Sequence, residues 1–179
     1  VAAGGEALLR GICPSDLKVP LEEFQKAGAA VDADEKNRQI RICMGKRPLP
    51  LLIKTEPYPG FPTDLQSPFM AFLATAQGTS YIEEQVFEGR FATAKILEQM
   101  GAVIRTEDQR AVIEGHYPLK GAAVNACDLR GGAALMVAAL AAEGDTFIGE
   151  CHHIERGYED ICRDMAALGA HIRWVGKDS

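Results

Sequence analysis

Three glycines divide this 179-residue chain into copies of one pattern. Around "EQMGAVI" (98–104) a helix-like segment ends at Gly101 and passes directly into a strand-like one. "QKAGAAV" (25–31) and "AALGAHI" (166–172) repeat that junction, so Gly28, Gly101 and Gly169 are equivalent, 73 and 68 residues apart. A second set, Gly4, Gly78 and Gly144, follows alanine-rich stretches upstream, at 24, 23 and 25 residues from its partners. Intervals kept this close define an internal structural repeat. The units run at approximately 1–60, 61–125 and 126–179 of a single domain.

The second unit gives the order of elements. Residues 65–76 carry helical apolar spacing, with Gly78 as the expected C-terminal cap. "SYIEEQV" (80–86) alternates as a half-buried strand, and "FATAKILEQM" (91–100) reads as a second helix. "AVIRTEDQRAVIEG" (102–115) reads as a hairpin turning at Glu107, Asp108 and Gln109. The third unit repeats the order: helix 129–142, strand 146–150, helix 158–168 and strand 171–175. In the first unit the leading helix is reduced to "VAAGG", its last stub, so the chain reads as beginning mid-repeat.

Helix, strand, helix and hairpin in three copies, each a βαβαββ-type unit, predict an inside-out α/β barrel with sheets outside and the leading helices within. "GGAALMVAALAA" (131–142) is apolar all round, as a helix buried on every side must be. Parallel buried helices bring their N-termini to one face, where free N–H groups and partial positive charge attract anions.

The apolar fraction of 47% and charged fraction of 25% suit a globular domain with a sizeable core. A net charge of -6 argues against broad binding to nucleic-acid phosphates. Anionic small molecules remain compatible, since a few local arginines suffice for them. "AALMVAALAA" (133–142) is far too short to span a membrane. The five cysteines (Cys13, Cys43, Cys127, Cys151, Cys162) are odd in number and form no CxxC pair. They fit reduced thiols in a cytoplasm, most of them as small buried hydrophobes, better than a disulfide framework or a zinc site.

Aligning the units sets "TDLQSPF" against "CDLRGGA" and places Asp64 and Asp128 at the first turns of two central helices. Aspartate there is a favoured N-cap that accepts first-turn N–H groups. A carboxylate held at an anion-attracting face can also take a proton from a bound hydroxyl. Arg130 opposes the helix dipole, which suits an arginine with an anionic partner, a substrate or Asp128 itself; the alternative is a solvated surface arginine. "HHIERGYE" (152–159) joins strand to helix, with Gly157 allowing a turn and Arg156 projecting from the loop. Arg156 is either suited to fold over a phosphate or carboxylate, or a plain surface arginine. Cys151, His152, His153 and Glu155 fit no common metal-ligand spacing.

In their order and spacing, "FPTDLQ", "VFEGRF", "DLRGGAAL" and "HHIERGYE" resemble the UDP-N-acetylglucosamine enolpyruvyl transferases, over essentially all 179 residues. This carboxyvinyltransferase family performs the first committed step of peptidoglycan synthesis. The resemblance implies the enolpyruvyl transferase fold: two domains, each an inside-out barrel of three units, with the active site in the cleft between them. It implies transfer of the enolpyruvyl group of phosphoenolpyruvate to a hydroxyl of UDP-N-acetylglucosamine with release of phosphate. The route is addition and elimination through a tetrahedral ketal, without metal or organic cofactor, in the cytoplasm.

Carried over position by position, Asp64 matches the aspartate that contacts the sugar hydroxyl as general base. Val86 and Phe87 lie in the segment that touches the nucleotide sugar, and Arg90 matches the arginine of the same motif. Asp128 and Arg130 match the acid and arginine near phosphoenolpyruvate, and Arg156 the arginine that swings in over it. The family draws a lysine, further arginines and a loop with a reactive cysteine (aspartate in some members) from its N-terminal domain. None of the cysteines or lysines here matches those. The implied partners are both substrates and that other domain, and the chain alone is expected to be inactive. A non-catalytic ligand-binding or structural module of the same fold, and an enolpyruvylshikimate-phosphate synthase-like enzyme, stay open as alternatives.

Overall fold

The computed structural model describes residues 2–176. Its first unit is strand β1 (Gly5–Arg10), helix α1 (Lys18–Lys26) and the hairpin of β2 (Ala30–Asp34) and β3 (Gln39–Met44). The three strands form an antiparallel sheet in the order β1-β3-β2. Alternation along β3 turns Ile40, Ile42 and Met44 to the core and Arg41 to solvent, the pattern of a sheet with one wet face.

The second unit comprises β4 (Leu52–Lys54), α2 (Gln66–Leu73), β5 (Thr79–Glu83), α3 (Ala92–Gln99), β6 (Val103–Glu107) and β7 (Arg110–Glu114). Its sheet runs β4-β5-β7-β6, with β4 and β5 parallel and the other pairs antiparallel. Neighbouring parallel strands need a crossover, and α2 supplies it. The third unit holds β8 (Leu119–Lys120), β9 (Ala123–Asn125), α4 (Leu129–Leu140), β10 (Ala142–Glu143), β11 (Phe147–Gly149), α5 (His152–Glu155) and α6 (Ile161–Ala167). Here β9 and β11 are parallel and α4 crosses between them, while β8 pairs with β10.

The expected layering is present. Helices α2 and α4 pack against each other inside, and every residue of α2 except Pro68 is buried. Phe69 anchors it among aromatic rings, 4.7 Å from Phe24 of α1, 4.8 Å from Phe61 and 5.7 Å from Phe72. The first and second units are thereby joined through edge and tilted ring contacts.

The three junction glycines share one geometry, with φ of 98°, 86° and 93° at Gly28, Gly101 and Gly169. Each follows its helix's C-cap and donates back into the last turn: Gly28 to Gln25, Gly101 to Glu98, Gly169 to Ala166. The next residue reaches one acceptor further back, Ala29 to Phe24, Ala102 to Leu97 and Ala170 to Met165. This left-handed helix ending is one that glycine enters without strain.

Several expected boundaries move, including those of the units, since β4 precedes residue 61 and β8 and β9 precede 126. Helix α2 ends at Leu73 and Gly78 does not cap it; the C-cap is Ala74 with ordinary helical φ. The chain after α2 is held instead by Arg47, whose guanidinium donates to the carbonyls of Thr75 (3.0 Å) and Ala76 (2.6 Å). Gly78 (φ 131°) serves the turn into β5. Helix α6 starts at Ile161, later than the periodicity suggested, because Asp160 caps it by accepting the Arg163 N–H at 2.9 Å. The "HHIE" stretch forms the one-turn α5 in place of a loop.

Residues 171–175 are not a strand. The corresponding β6 pairs only with β7, and 171–175 have no such partner among the described residues, so no ladder forms. Of the "VAAGG" stub, Val1 lies outside the described residues and Ala2 and Ala3 form a turn. None of the cysteines is the fully buried hydrophobe expected: four are half-buried and Cys127 is exposed. No helix among the described residues is long and apolar enough to cross a membrane.

Candidate active site

The turn before α2 and the first turn of α4 meet through Asp64 and Arg130. Before α2 the chain makes a 3₁₀ turn, Thr63–Leu65, entered from extended Pro62. Asp64 in this turn makes no capping bond to either helix. Its side chain is two-thirds exposed and takes Arg130, from the first turn of α4, with Nε at 2.8 Å and Nη2 at 2.7 Å, both to Oδ1. Arg90 approaches the same oxygen at 3.6 Å, and its guanidinium lies 4.2 Å above the Phe87 ring. The contacts of both arginines centre on Oδ1. The result is a row, Phe87, Arg90, Asp64 and Arg130, assembled from three separate stretches of chain.

Asp128, aligned with Asp64 by the repeat, behaves differently. Its backbone is extended and its Oδ1 accepts the Gly131 N–H at 2.7 Å, making it the N-cap of α4. So only one of the paired aspartates fills the capping role expected of both. Arg130's carboxylate partner is correspondingly Asp64 and not Asp128. Half-exposed ion pairs of this kind contribute about 0.2–1 kcal/mol. An incoming anion can therefore exchange with Asp64 on the guanidinium at little cost in stability.

The glycine pair after Arg130 permits a close approach. A Cβ on Gly132 would stand 2.5 Å from Ile154 Cγ1, so α5 sits directly on the mouth of α4. Gly157 likewise packs onto Leu129, at a distance where a Cβ would be 2.5 Å from Cδ1. Arg156 lies between those contacts, exposed, at the C-terminal end of α5. It stands outside the row, beside the start of α4, and no carboxylate among the described residues pairs with it. Val86 is half-buried and Phe87 half-exposed, at the start of the loop that carries Arg90.

One residue beneath this row was not anticipated. Glu84 is 1% exposed, and its carboxylate receives Thr55 Oγ1 (2.8 Å) and the N–H groups of Val86 (3.0 Å) and Phe87 (3.1 Å) on Oε1. Thr63 Oγ1 donates to Oε2 at 2.9 Å. These bonds end β5 at Glu83, short of the expected Val86, by drawing the next backbone groups onto a side chain. The signal was available: strand alternation puts Glu84 on the same inward face as Ser80 and Ile82, and an acid at an inward position needs a purpose.

The family model described as EPSP synthase (3-phosphoshikimate 1-carboxyvinyltransferase) matches residues 1–165. A UDP-N-acetylglucosamine 1-carboxyvinyltransferase of Desulfofundulus thermocisternus is 45% identical over 96% of this chain and 70% of its own length. UDP-N-acetylglucosamine 1-carboxyvinyltransferase 2 of Carboxydothermus hydrogenoformans is also 45% identical, over 98% of this chain. This chain spans only 42% of that relative's length. Among solved structures, the enolpyruvyl transferase NikO from Streptomyces tendae superposes with a TM-score of 0.85 at 29% identity, covering 96% of this chain and 42% of the other. EPSP synthase from Acinetobacter baumannii, at 21% identity and a TM-score of 0.71 over 97% of this chain and 40% of its own, shares the fold.

Proposed function

The chain belongs to the EPSP synthase family, and from that premise we propose that it forms one wall of the active site of an enolpyruvyl transferase acting on UDP-N-acetylglucosamine. The observation that carries this reading is Asp64, exposed and held through Oδ1 by Arg130, with Arg90 3.6 Å away. Arg130 and Arg156, both beside the start of α4, suit the phosphate and carboxylate of phosphoenolpyruvate, where guanidinium groups bind as forks. As that substrate takes Arg130, Asp64 is released to the second substrate. Its carboxylate then accepts the proton of the sugar hydroxyl as the hydroxyl oxygen bonds to C2 of phosphoenolpyruvate and C3 takes a proton from a general acid of the opposite wall. The tetrahedral ketal next loses phosphate and returns a C3 proton to that group, restoring the double bond.

On this reading Val86, Phe87 and Arg90 bear on the nucleotide sugar, and Asp128, by capping α4, holds the mouth on which phosphoenolpyruvate sits. A second domain supplies the opposite wall, in keeping with the 42% share of the Carboxydothermus relative's length. The reaction then belongs to peptidoglycan synthesis in the cytoplasm. Relatives named for UDP-N-acetylglucosamine stand at 45% identity and the EPSP synthase at 21%. That difference favours the sugar nucleotide over a shikimate phosphate as acceptor.

The test is phosphate release from phosphoenolpyruvate by the intact protein that contains this chain. UDP-N-acetylglucosamine supports turnover, and Asp64→Ala lowers kcat by about 10²–10⁴-fold with an unchanged melting curve. Parental turnover by Asp64→Ala removes the base; phosphate release with shikimate 3-phosphate alone removes the sugar nucleotide.

A further inference from the structure

Glu84 is the one buried acid in the neighbourhood that the proposed reaction does not use. An ionisable group taken out of water requires several donors to offset its lost hydration. Four neutral donors converge on Glu84, two hydroxyls and two backbone N–H groups. No ion pair to Glu84 occurs among the described residues, so it serves as a purely hydrogen-bonded hub. Each of its oxygens addresses a different part of the site. Oε1 gathers Thr55, which follows β4, with Val86 and Phe87. Oε2 takes Thr63, the residue immediately before Asp64. Thr55 is itself fixed, accepting the Gln85 N–H at 2.9 Å on Oγ1 and donating its own N–H to the Glu83 carbonyl at 2.9 Å.

A closed circuit results. Asp64 is tied to Arg90, Arg90 lies over Phe87, Phe87 donates to Glu84, Glu84 accepts from Thr63, and Thr63 precedes Asp64 in one 3₁₀ turn. Asp64 is the exposed member of its turn, and beyond its pair with Arg130 the Arg90 contact, at 3.6 Å, is too long for a hydrogen bond, so the bond from Thr63 and the packing of Leu65 fix the turn itself. We infer that Glu84 is a positioning residue, a buried carboxylate that sets the placement of Asp64 relative to the Val86–Phe87 segment. This rests on the reading of Asp64 as base. A displacement of about 1 Å at a reacting group costs on the order of a hundredfold in rate, so a hub that fixes one turn against one loop has kinetic consequences well beyond its effect on stability.

The two oxygens make the idea separable. Glu84→Gln keeps an acceptor toward Val86, Phe87 and Thr55 but presents a donor to Thr63. Thr63→Val deletes the same bond from the other side. In the intact protein, with phosphoenolpyruvate and UDP-N-acetylglucosamine as substrates, both variants lower kcat by about tenfold or more. Both leave KM for the sugar nucleotide within about twofold of the parent, because the loop side of the hub survives. Glu84→Ala loses both sides and raises that KM as well. On an Asp64→Ala background, Glu84→Gln and Thr63→Val cause no further loss, since they act through the group already removed.

Thr63 is only partly buried, so its variant remains readable should Glu84→Ala fail to fold. Parental kcat in both Glu84→Gln and Thr63→Val overturns the inference. So does an undiminished penalty on the Asp64→Ala background, which marks a merely structural role. Parental turnover by Asp64→Ala alone sinks the base and this inference with it, and is told apart from the other outcomes because it appears in the single variant.

Discussion

Asp64 and Asp128 are the same residue at the same place in two copies of one unit, yet their side chains do different things. Asp128 precedes α4 in extended backbone and closes onto the Gly131 N–H. Asp64 sits inside a 3₁₀ turn, a conformation that carries its side chain away from the helix and out to Arg130. Unequal stability effects follow. Asp128→Ala removes a cap and destabilises by about 0.5–2 kcal/mol, read as a lower urea midpoint. Asp64→Ala, removing exposed pairs, moves the same midpoint by no more than about 0.5 kcal/mol. Asp34 offers a pH test. The backbone N–H and then the side chain of Asn37 hold its carboxyl below its ordinary value of 3.8. Because the folded value is depressed, its contribution is complete above the unfolded pKa and is lost as pH falls through the folded one. The Asn37 amide resonance therefore titrates with a midpoint below 3.8, and Asp34→Ala abolishes that titration.

Helix endings show which elements are local decisions. At Gly101 and Gly169 an added Cβ meets nothing within 4 Å, so alanine there suffers only from the left-handed backbone. Each substitution costs about 1–2 kcal/mol, and the two denaturation midpoints shift by similar amounts if the copies are equivalent. Gly132→Ala fails differently: its φ is ordinary but its Cβ collides with Ile154, and overpacking of this kind costs about 1–3 kcal/mol. These junctions, the 103–114 hairpin and both central helices were legible in the sequence because capping, turn chemistry and periodicity act over a few residues. The expected strand at 171–175 was not, because a strand exists only by pairing and its pattern says nothing of whether a partner is present. The inward parity of Glu84 is written in "SYIEEQV", but its hydroxyl partners lie 29 and 21 residues away, beyond what a two-residue period can specify.

At the scale of the molecule, α2 does most to hold the units together, since its apolar surface faces neighbours on every side. Met70 is 0% exposed on that helix, and Met70→Ala costs about 2–5 kcal/mol, measurable by urea unfolding. The buried axis also fixes where charge gathers. The turn before α2 and the first turn of α4 meet, so the residues around them become neighbours although the chain separates them widely. Such a face clamps substrates only with an opposing wall that excludes water. The 179-residue chain assayed alone is accordingly expected to release no phosphate from phosphoenolpyruvate and UDP-N-acetylglucosamine, while the intact protein does.

What the sequence determined by itself was everything that nearest neighbours along the chain decide. It set the threefold spacing of helix-ending glycines, the all-apolar character of the inner helices, and the presence of acids and arginines at their mouths. Only the tertiary structure decided which charges meet. Arg130 reaches across 66 residues to Asp64 and passes over Asp128, two positions away. The physical reason is geometric: Asp128 spends its oxygen on its own helix, and the packing of α4 on α2 brings a second, uncommitted carboxylate within reach.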